Sequence, residues 1–518
     1  MNKVCVLVSL LSIILWSSCR KDFSTITNTG HLEFSLDTVY FDTLFSKIPS
    51  NTVEFKIYNR SDDDINIPEI YLEKGVSSKY SLNVNGFPGP NETPTETLGK
   101  EFSNVSILAN DSIFVFAQVL VDLEEDTVDE EGFYNDKIYF SGLDQSQSID
   151  LVSFVYDATI IYPTEDDEER TFETSYIDET GETITETGYD LETSELFWTN
   201  DKPIVVYGKP VVPSGETLIV DAGARIHFHE DSGLIVEPGA SINFNGSTSI
   251  DQELLENEII IESNRIAEDY DNLPGQWGYI WIMEGSVNNY ITNTTIKNAT
   301  TGILIEGNGT ETSPSLNLEN VQVYNSAAAG IQANATNIEA NNIVINNSGL
   351  ASLNMEQGGT YNFEYCSLVN YYSFGVRSLR AVNLSNQAQF NSDVSDTDLE
   401  ANFINCIITG SYETEITLNS NAFAEFTFNF ENCLIDCSES LSTTNENFDL
   451  TNSSLYTNCI FNENPVFENP GLNNLGISEA SAANGEAKIT GITNDITGTE
   501  RNSINPDIGA YESTTFEE

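Results

Sequence analysis

Arg377 and Arg380 are the one pair of arginines between residues 266 and 500, and two guanidinium groups this close could neutralise an acidic sugar. Trp277, Tyr279 and Trp281 share strand parity, so they could present a row of rings for sugars to stack on. The same row would equally suit a buried core strand. Arg377, Arg380, Trp277 and Trp281 are therefore candidate glycan contacts, each weighed against a structural role. His227 and His229 also share one parity, with Phe228 opposite. Two imidazoles on one strand face can begin a metal site, but only Glu230 and Asp231 lie near them, and neither a metal site nor a cofactor is assigned. No catalytic residue is assigned either. Glycoside hydrolysis needs close carboxylates, one of raised pKa. Lyase chemistry needs a positioned base and something to neutralise a uronate. Over residues 290–370 the outward positions read chiefly as Asn, Ser and Thr, with carboxylates scarce.

The elements that would carry such groups announce themselves by repetition. Asn, a small or β-branched residue, any residue, then an apolar one: the phrase begins at Asn293, Asn320, Asn342, Asn405, Asn432 and Asn458, and a copy at Tyr365 has lost the Asn. The steps are 27, 22, 23, 40, 27 and 26 residues, the length of one turn of a stacked-coil protein. The two apolar positions of each phrase share parity and so face one core. A second short strand led by Gly is expected at Gly302-Ile303-Leu304-Ile305, Gly330-Ile331-Gln332-Ala333 and Gly375-Val376-Arg377. Asn and Gly suit the corners between strands because both tolerate a left-handed backbone. The Asn residues should form one vertical file, joined as amide ladders are. The 40-residue step reads as one coil with a polar insertion over 385–400.

Cys366, Cys406, Cys433 and Cys459 occupy one column of the repeat, and Cys437 lies four residues after Cys433. Stacked strands put their Cβ vectors parallel, which places the sulfurs badly for disulfides, so these five read as free thiols in the core. Residues 30–158 have another texture: short alternating runs at Leu36–Asp42, Val53–Asn59, Tyr80–Gly86, Ser112–Val119 and Lys137–Phe140, which fit a β-sandwich. Residues 159–199, with Glu165-Asp166-Asp167-Glu168-Glu169, read as an acidic linker, and 200–515 as the stacked coils with a C-terminal cap.

Several of these phrases carry a resemblance. Gly233–Phe244, Pro274–Ile280 and the closing Pro506-Asp507-Ile508-Gly509-Ala510-Tyr511-Glu512 resemble right-handed parallel β-helix proteins of bacterial surfaces. The runs Asp37–Phe45, Phe55–Arg60 and Ala109–Phe114 look like the immunoglobulin-like domain that precedes the β-helix in a two-domain lipoprotein family of the Bacteroidota, whose function is uncharacterised. The resemblance implies an all-β chain, a sandwich followed by a right-handed parallel β-helix, and no particular activity. Lys3, the apolar run Val4–Trp16 and Ser17-Ser18-Cys19 resemble a lipoprotein signal over 1–18 cut before Cys19, which would carry outer-membrane lipid, with 19–29 as a tether. Arg20-Lys21-Asp22 resembles a surface-export tag, which favours display on the cell surface over the periplasmic face. Thr38, Thr43, Ser112 and Thr127 each follow Asp and precede an aliphatic residue, the acceptor pattern of O-glycosylation in these bacteria.

The chain carries 81 acidic and 20 basic side chains, a net charge of −61. That field opposes nucleic acid, which is excluded as a partner. The reading that results is a lipid-anchored surface protein acting as a non-catalytic binding or scaffolding module, with a glycan as ligand. The alternative is a polysaccharide lyase or glycoside hydrolase of the β-helix type.

Overall fold

The computed structural model describes residues 26–27, 32–89, 98–129, 132–141, 146–163, 171–177, 183–266, 270–310, 313–387, 397–438, 440–441 and 445–516. The signal segment, Cys19, the export-like tag and the run Glu165–Glu169 lie outside these residues. The described residues are all-β apart from short 3-10 turns, and no helix among them is long and apolar enough to cross a membrane.

The chain divides into two units, Met1–Asp157 and Ala158–Glu518. In the first, strands Thr38–Phe45, Ile65–Leu72, Glu101–Ile107, Phe133–Ser141 and Gln147–Tyr156 belong to one sheet, and Glu33–Phe34, Val53–Tyr58, Tyr80–Val84 and Ser112–Val119 form another. Their alternating inward residues, among them Val39, Phe55, Ile70, Val115, Ile138 and Leu151, share one apolar cluster. The alternation apolar-in, polar-out is what lets each sheet keep one face in water.

Among the described residues the second unit holds a 27-stranded sheet wound into coils and a separate pair, Phe467–Asn469 with Asn474–Ile477. Apart from the antiparallel pair Thr171–Ile177 and Thr183–Asp190, strands pair in parallel with those one coil later: Asn289–Lys297 with Leu316–Ser326, Ile331–Asn341 with Leu353–Glu364, and Leu399–Ile404 with Phe426–Glu431. The 40-residue step closes as a single coil, since Gly359–Glu364 pairs directly with Leu399–Ile404. Inward residues fill the core in stacked files. The rings of Phe363, Phe403, Phe430 and Tyr456 lie nearly parallel, with successive centroids 5.4, 4.9 and 5.6 Å apart. Each such side chain, fully buried, contributes roughly 1.5–3 kcal/mol by removal of apolar surface from water.

The corner asparagines stand at one register. Asn293, Asn320, Asn342, Asn405, Asn432 and Asn458 all have φ between 41° and 55°, and Tyr365 holds the same left-handed corner at 54°. Asn320 donates its amide to Asn293 Oδ1 at 3.3 Å, and Asn342 to Asn320 Oδ1 at 2.9 Å. A second corner file, not anticipated, runs five residues further on through Asn298, Asn325 and Asn347, at φ 67°, 55° and 55°. Asn370 continues it and ties Ser348 N–H and C=O from the next coil.

Four expectations change. Residues 159–199 are not a linker: Thr159–Ile161 pairs with Ile204–Val206, Thr171–Ile177 and Thr183–Asp190 form a hairpin, and Phe197–Trp198 pairs with Ile219–Val220. Acidic composition hid strands and a connecting turn whose inward residues, Tyr189, Leu191, Leu196 and Trp198, extend the coil core. Gly375-Val376-Arg377 is no strand, since the strand of that coil is Val382–Ser385. Gly330 does lead a strand, Ile331–Asn341, whereas Gly302 lies inside Ala299–Glu306, and both serve closeness rather than left-handedness. A Cβ on either would sit 2.6 Å from a carbonyl oxygen of the next coil.

The closing segment is not a cap on the end of the stack. It runs as a strap along the side, where Leu475, Ile477, Ala483, Ile496, Ile508 and Ala510 pack on the outward residues Val344, Val369, Ile407 and Leu434. Its carbonyls at Asn494, Lys488 and Glu486 accept from the corner amides of Asn342, Asn405 and Asn432 at 3.0, 2.8 and 2.8 Å. Arg501, 5% exposed, donates to Asn342 Oδ1 at 2.9 Å and lies 3.8 Å over the ring of Tyr365. The end of the core is closed instead by Phe448, with Leu441, Leu450 and Leu455 against it.

The five cysteines beyond Cys19 are free, and all but the half-buried Cys459 are buried. The thiols of Cys366, Cys406, Cys433 and Cys459 donate to carbonyls of their own and the preceding coil, as Cys433 does to Phe403 O at 3.4 Å. Burial pushes the Cys437 thiol up to about 12 and raises Cys406 too. In denaturant, Cys366, Cys406, Cys433, Cys437 and Cys459 should all react with a thiol reagent without prior reduction, and Cys433→Ala should cost on the order of 1 kcal/mol. Asn342→Ala removes a corner amide and forces Ala into the left-handed region, so urea unfolding should show a loss of about 2 kcal/mol or more. A loss below about 0.5 kcal/mol would mean that the corner file carries no stability.

Candidate functional site

The long strands that precede the asparagine corner turn one side to the core and the other to solvent. Register places the outward residues in vertical files one coil apart, ~4.8 Å. The first file reads Asn243, Tyr290, Asn317, Glu339, Asn362, Asn402 and Asn429. The second, two residues further along each strand, reads Asn245, Thr292, Glu319, Asn341, Glu364, Ile404 and Glu431. A third edge holds Asn337, Thr360, Glu400 and Thr427. The amides are tied along the file: Asn402 donates to Asn362 Oδ1 at 3.0 Å, and Asn362 to Glu339 Oε2 at 2.9 Å. Such ties fix rotamers before any ligand arrives, which lowers the entropy lost on binding. Tyr290 is 44% exposed on the same face.

Beside the second file, where the strap meets the corner, lies a cleft of about 490 Å³. Asn293, Glu319, Asn320 and Asn341 form one wall, and Thr493 and Asn494 of the strap form the other. The whole face offers hydrogen-bond donors and acceptors in rows, with an aromatic ring near one end. The sequence reading of scarce carboxylates is corrected, because Glu319, Glu339 and Glu364 all sit outward within 290–370. Their spacing of twenty or more residues left no local motif to see.

The residues singled out for chemistry are placed elsewhere. Arg377 is not a surface cation. Its guanidinium makes two bonds of 2.7 Å to the carboxylate of Glu415, and the two side chains are 2% and 0% exposed. It cannot meet a sugar, so its candidacy as a glycan contact falls. Arg380 is half-buried 4.6 Å over the Tyr412 ring, whose centroid also lies 4.1 Å from Arg377. Trp277 and Trp281 are 1% and 2% exposed, so neither offers a face to a sugar. They do not even share a side: an irregularity between Tyr279 and Ile280 breaks the parity. Trp277 turns inward onto Phe228 at 4.6 Å, whereas Trp281 packs outward on Val211 and Ile235. His227 is buried beside Ser263 O and Glu262, and burial pushes its imidazole down, while His229 is exposed and meets Asn264 at 3.1 Å.

In the first unit, Thr127 is exposed in a loop, and Thr38, Thr43 and Ser112 are half-buried within strands. Cys19 lies outside the described residues.

Carboxyls raised by burial do occur, at Glu258, Glu306, Glu356 and Asp436, but none belongs to the outward files. Glu306 accepts from the Trp281 indole at 2.8 Å, and Glu356 from the Asn354 amide at 3.2 Å. Asp436 accepts from the Thr409 hydroxyl and lines a second hollow of about 530 Å³ with Tyr412, Glu413 and Asn462.

No protein-family model matches the chain, and no curated protein matches it. Among solved structures, a family 123 glycoside hydrolase from Clostridium perfringens, studied for the details of glycolipid glycan hydrolysis, overlays with a TM-score of 0.16 and 13% identity. The overlay covers 24% of this chain and 26% of that one, so this chain matches about a quarter of that protein's length and the overlay carries no argument.

Breaking the buried pair should be costly. Arg377→Met leaves the buried Glu415 carboxyl without its cation, an expected loss of ~3–5 kcal/mol in urea unfolding, and adding Glu415→Gln, which removes the charge and keeps an acceptor for the Ala381 and Tyr412 N–H groups, should recover most of it. Equal losses in the single and double variants would contradict the pair's role. Glu356, 8% exposed, gives a pH test. Burial raises its pKa, so the folded chain holds the proton more tightly than the unfolded one. The stability this lends is complete below the ordinary carboxyl range and is lost as pH rises through the raised value. Glu356→Gln should therefore be more stable than the wild type at neutral pH and not at pH ~4. The same gain at both pH values would count against a raised carboxyl.

Proposed function

We propose that this chain is a lipid-anchored surface protein whose stacked coils form a right-handed parallel β-helix, preceded by an immunoglobulin-like sandwich, and that it binds a glycan without cleaving it. The observation that carries the reading is the open face of tied amides, hydroxyls and carboxylates, seven coils long in its first file, with Tyr290 exposed on it. Rows of planar amides at strand spacing hydrogen-bond sugar hydroxyls along an extended chain, and an exposed ring supports stacking. Rigid strands hold these groups in register without an ordering step. The two-domain Bacteroidota lipoprotein resemblance and the Cys19 anchor belong to the same reading, with display on the cell surface. Thr127, exposed in its loop, is the best placed of the four O-glycosylation acceptors.

The absence of cleavage is proposed on chemical grounds. A glycosidic bond is broken between a general acid and a second carboxylate that flank one point. None of the carboxyls raised by burial, the natural acids Glu258, Glu306, Glu356 and Asp436, belongs to the outward files that would hold the chain.

The test is a glycan array probed with the mature chain, paired with reducing-end and unsaturated-uronate assays on every glycan retained. Retention without turnover is expected. Asn362→Ala combined with Asn402→Ala should weaken retention about tenfold, as two tied amides are lost. Turnover that disappears in Glu339→Gln, with folding kept, would make the protein an enzyme. Undiminished retention in the double Asn variant would remove the face from the account.

A further inference from the structure

The second outward file has a rhythm of its own. Glu319, Glu364 and Glu431 recur at every second coil, with Asn341 and Ile404 between them. Carboxylates therefore stand ~10 Å apart, twice the strand spacing. At one end of the file an ammonium group is already in place. Lys488 of the strap puts its Nζ 3.0 and 2.9 Å from the two oxygens of Glu431. Glu319 and Glu364 have no such partner among the described residues, and Glu364 Oε1 is buried with no hydrogen bond at all. Glu319 lines the cleft between face and strap. No Arg or Lys among the described residues pairs with Glu319, Glu339, Glu364 or Glu400, whereas Arg377, the cation expected to meet an acidic sugar, is locked on Glu415.

We propose that the ligand of this face is a cationic amino sugar chain, whose ammonium groups seat on Glu319 and Glu364 as Lys488 seats on Glu431. The inference rests on the glycan-binding reading and adds the class of sugar. An extended 1,4-linked chain of β-sugars turns each ring over relative to the last, so a given substituent returns to one side at every second residue. Each ring advances by about one coil, and the recurrence then matches that of the carboxylates. Asn341, between the two glutamates, faces the intervening residue and can hydrogen-bond its hydroxyls. A uronate or sulfated chain would instead bring anions against the file and is disfavoured. Ammonium seated on a carboxylate otherwise unpaired gains a charge-assisted hydrogen bond.

The experiment compares two probes on the full mature chain: a glucosamine hexamer and its fully N-acetylated counterpart. The glucosamine hexamer should bind at least about tenfold tighter, and the difference should shrink as salt rises from about 0.05 to about 0.5 M. Glu319→Gln with Glu364→Gln should erase that preference, bringing the glucosamine hexamer down to the affinity of the acetylated one. Since a chain of net charge −61 attracts any polycation, Glu124→Gln with Glu125→Gln, in the first unit, serves as the control. An equal loss in the control pair overturns the proposal. Equal binding of both hexamers, unchanged by the file variant, overturns it too while the glycan-binding reading stands. Binding of neither hexamer, nor of any other glycan, overturns both.

Discussion

From residue 293 on, each coil of the second unit turns a sharp corner at one register, and the backbone there sits in the left-handed region. That constraint selects asparagine. Its short amide tolerates the conformation and reaches the neighbouring corner, so one residue both makes the bend and ties coil to coil, as Asn342 does to Asn320 at 2.9 Å. With the corners aligned, strand parity follows. Inward positions stack into the files of Phe, Ile, Val and Cys that hold the core, and outward positions are forced into files as well. The proposed binding face is thus a by-product of the corner: a ligand with a strand-like repeat meets like groups at like spacing.

The one coil that breaks the rule shows how much the rule matters. Tyr365 occupies the corner at φ 54°, a strained choice for a bulky side chain. It is compensated from outside. Arg501 of the strap lies over its ring and donates to Asn342 Oδ1, and the Tyr365 hydroxyl donates to Lys488 O at 2.9 Å. The strap replaces the missing amide, and its own apolar residues cover the side of the stack. Near its far end Lys488 reaches back to Glu431 on the outward face. Strap and face are therefore physically joined, and the cleft between them is bounded on both sides by backbone held in place.

Much of this was legible because it repeats. The Asn register, the inward parity and the free thiol column all follow from copies compared with one another. What escaped had a physical reason in each case. The second Asn file lay five residues downstream in plain view, but its partners were masked by the apolar residues between. The strands of 159–199 were concealed by an acidic composition that says nothing of the inward Tyr189, Leu191 and Trp198. The shared parity of Trp277 and Trp281 failed because an irregularity in pairing shifts the side. Arg377 looked free because its partner, Glu415, is 38 residues away and only the fold brings them together. The outward glutamates were missed for a related cause: a file is written across coils, one residue in every twenty or more.

The central claim is that function lies on the outward files of the long strands. Hydrogen exchange of the full chain, with and without a saturating glycan oligomer, addresses it directly, because backbone amides report where the ligand rests. The account predicts added protection in Leu316–Ser326, Ile331–Asn341, Leu353–Glu364 and Leu399–Ile404, and in the strap around Thr493–Gly498. Protection confined to the first unit, or to the hollow at Tyr412 and Asp436, would contradict it.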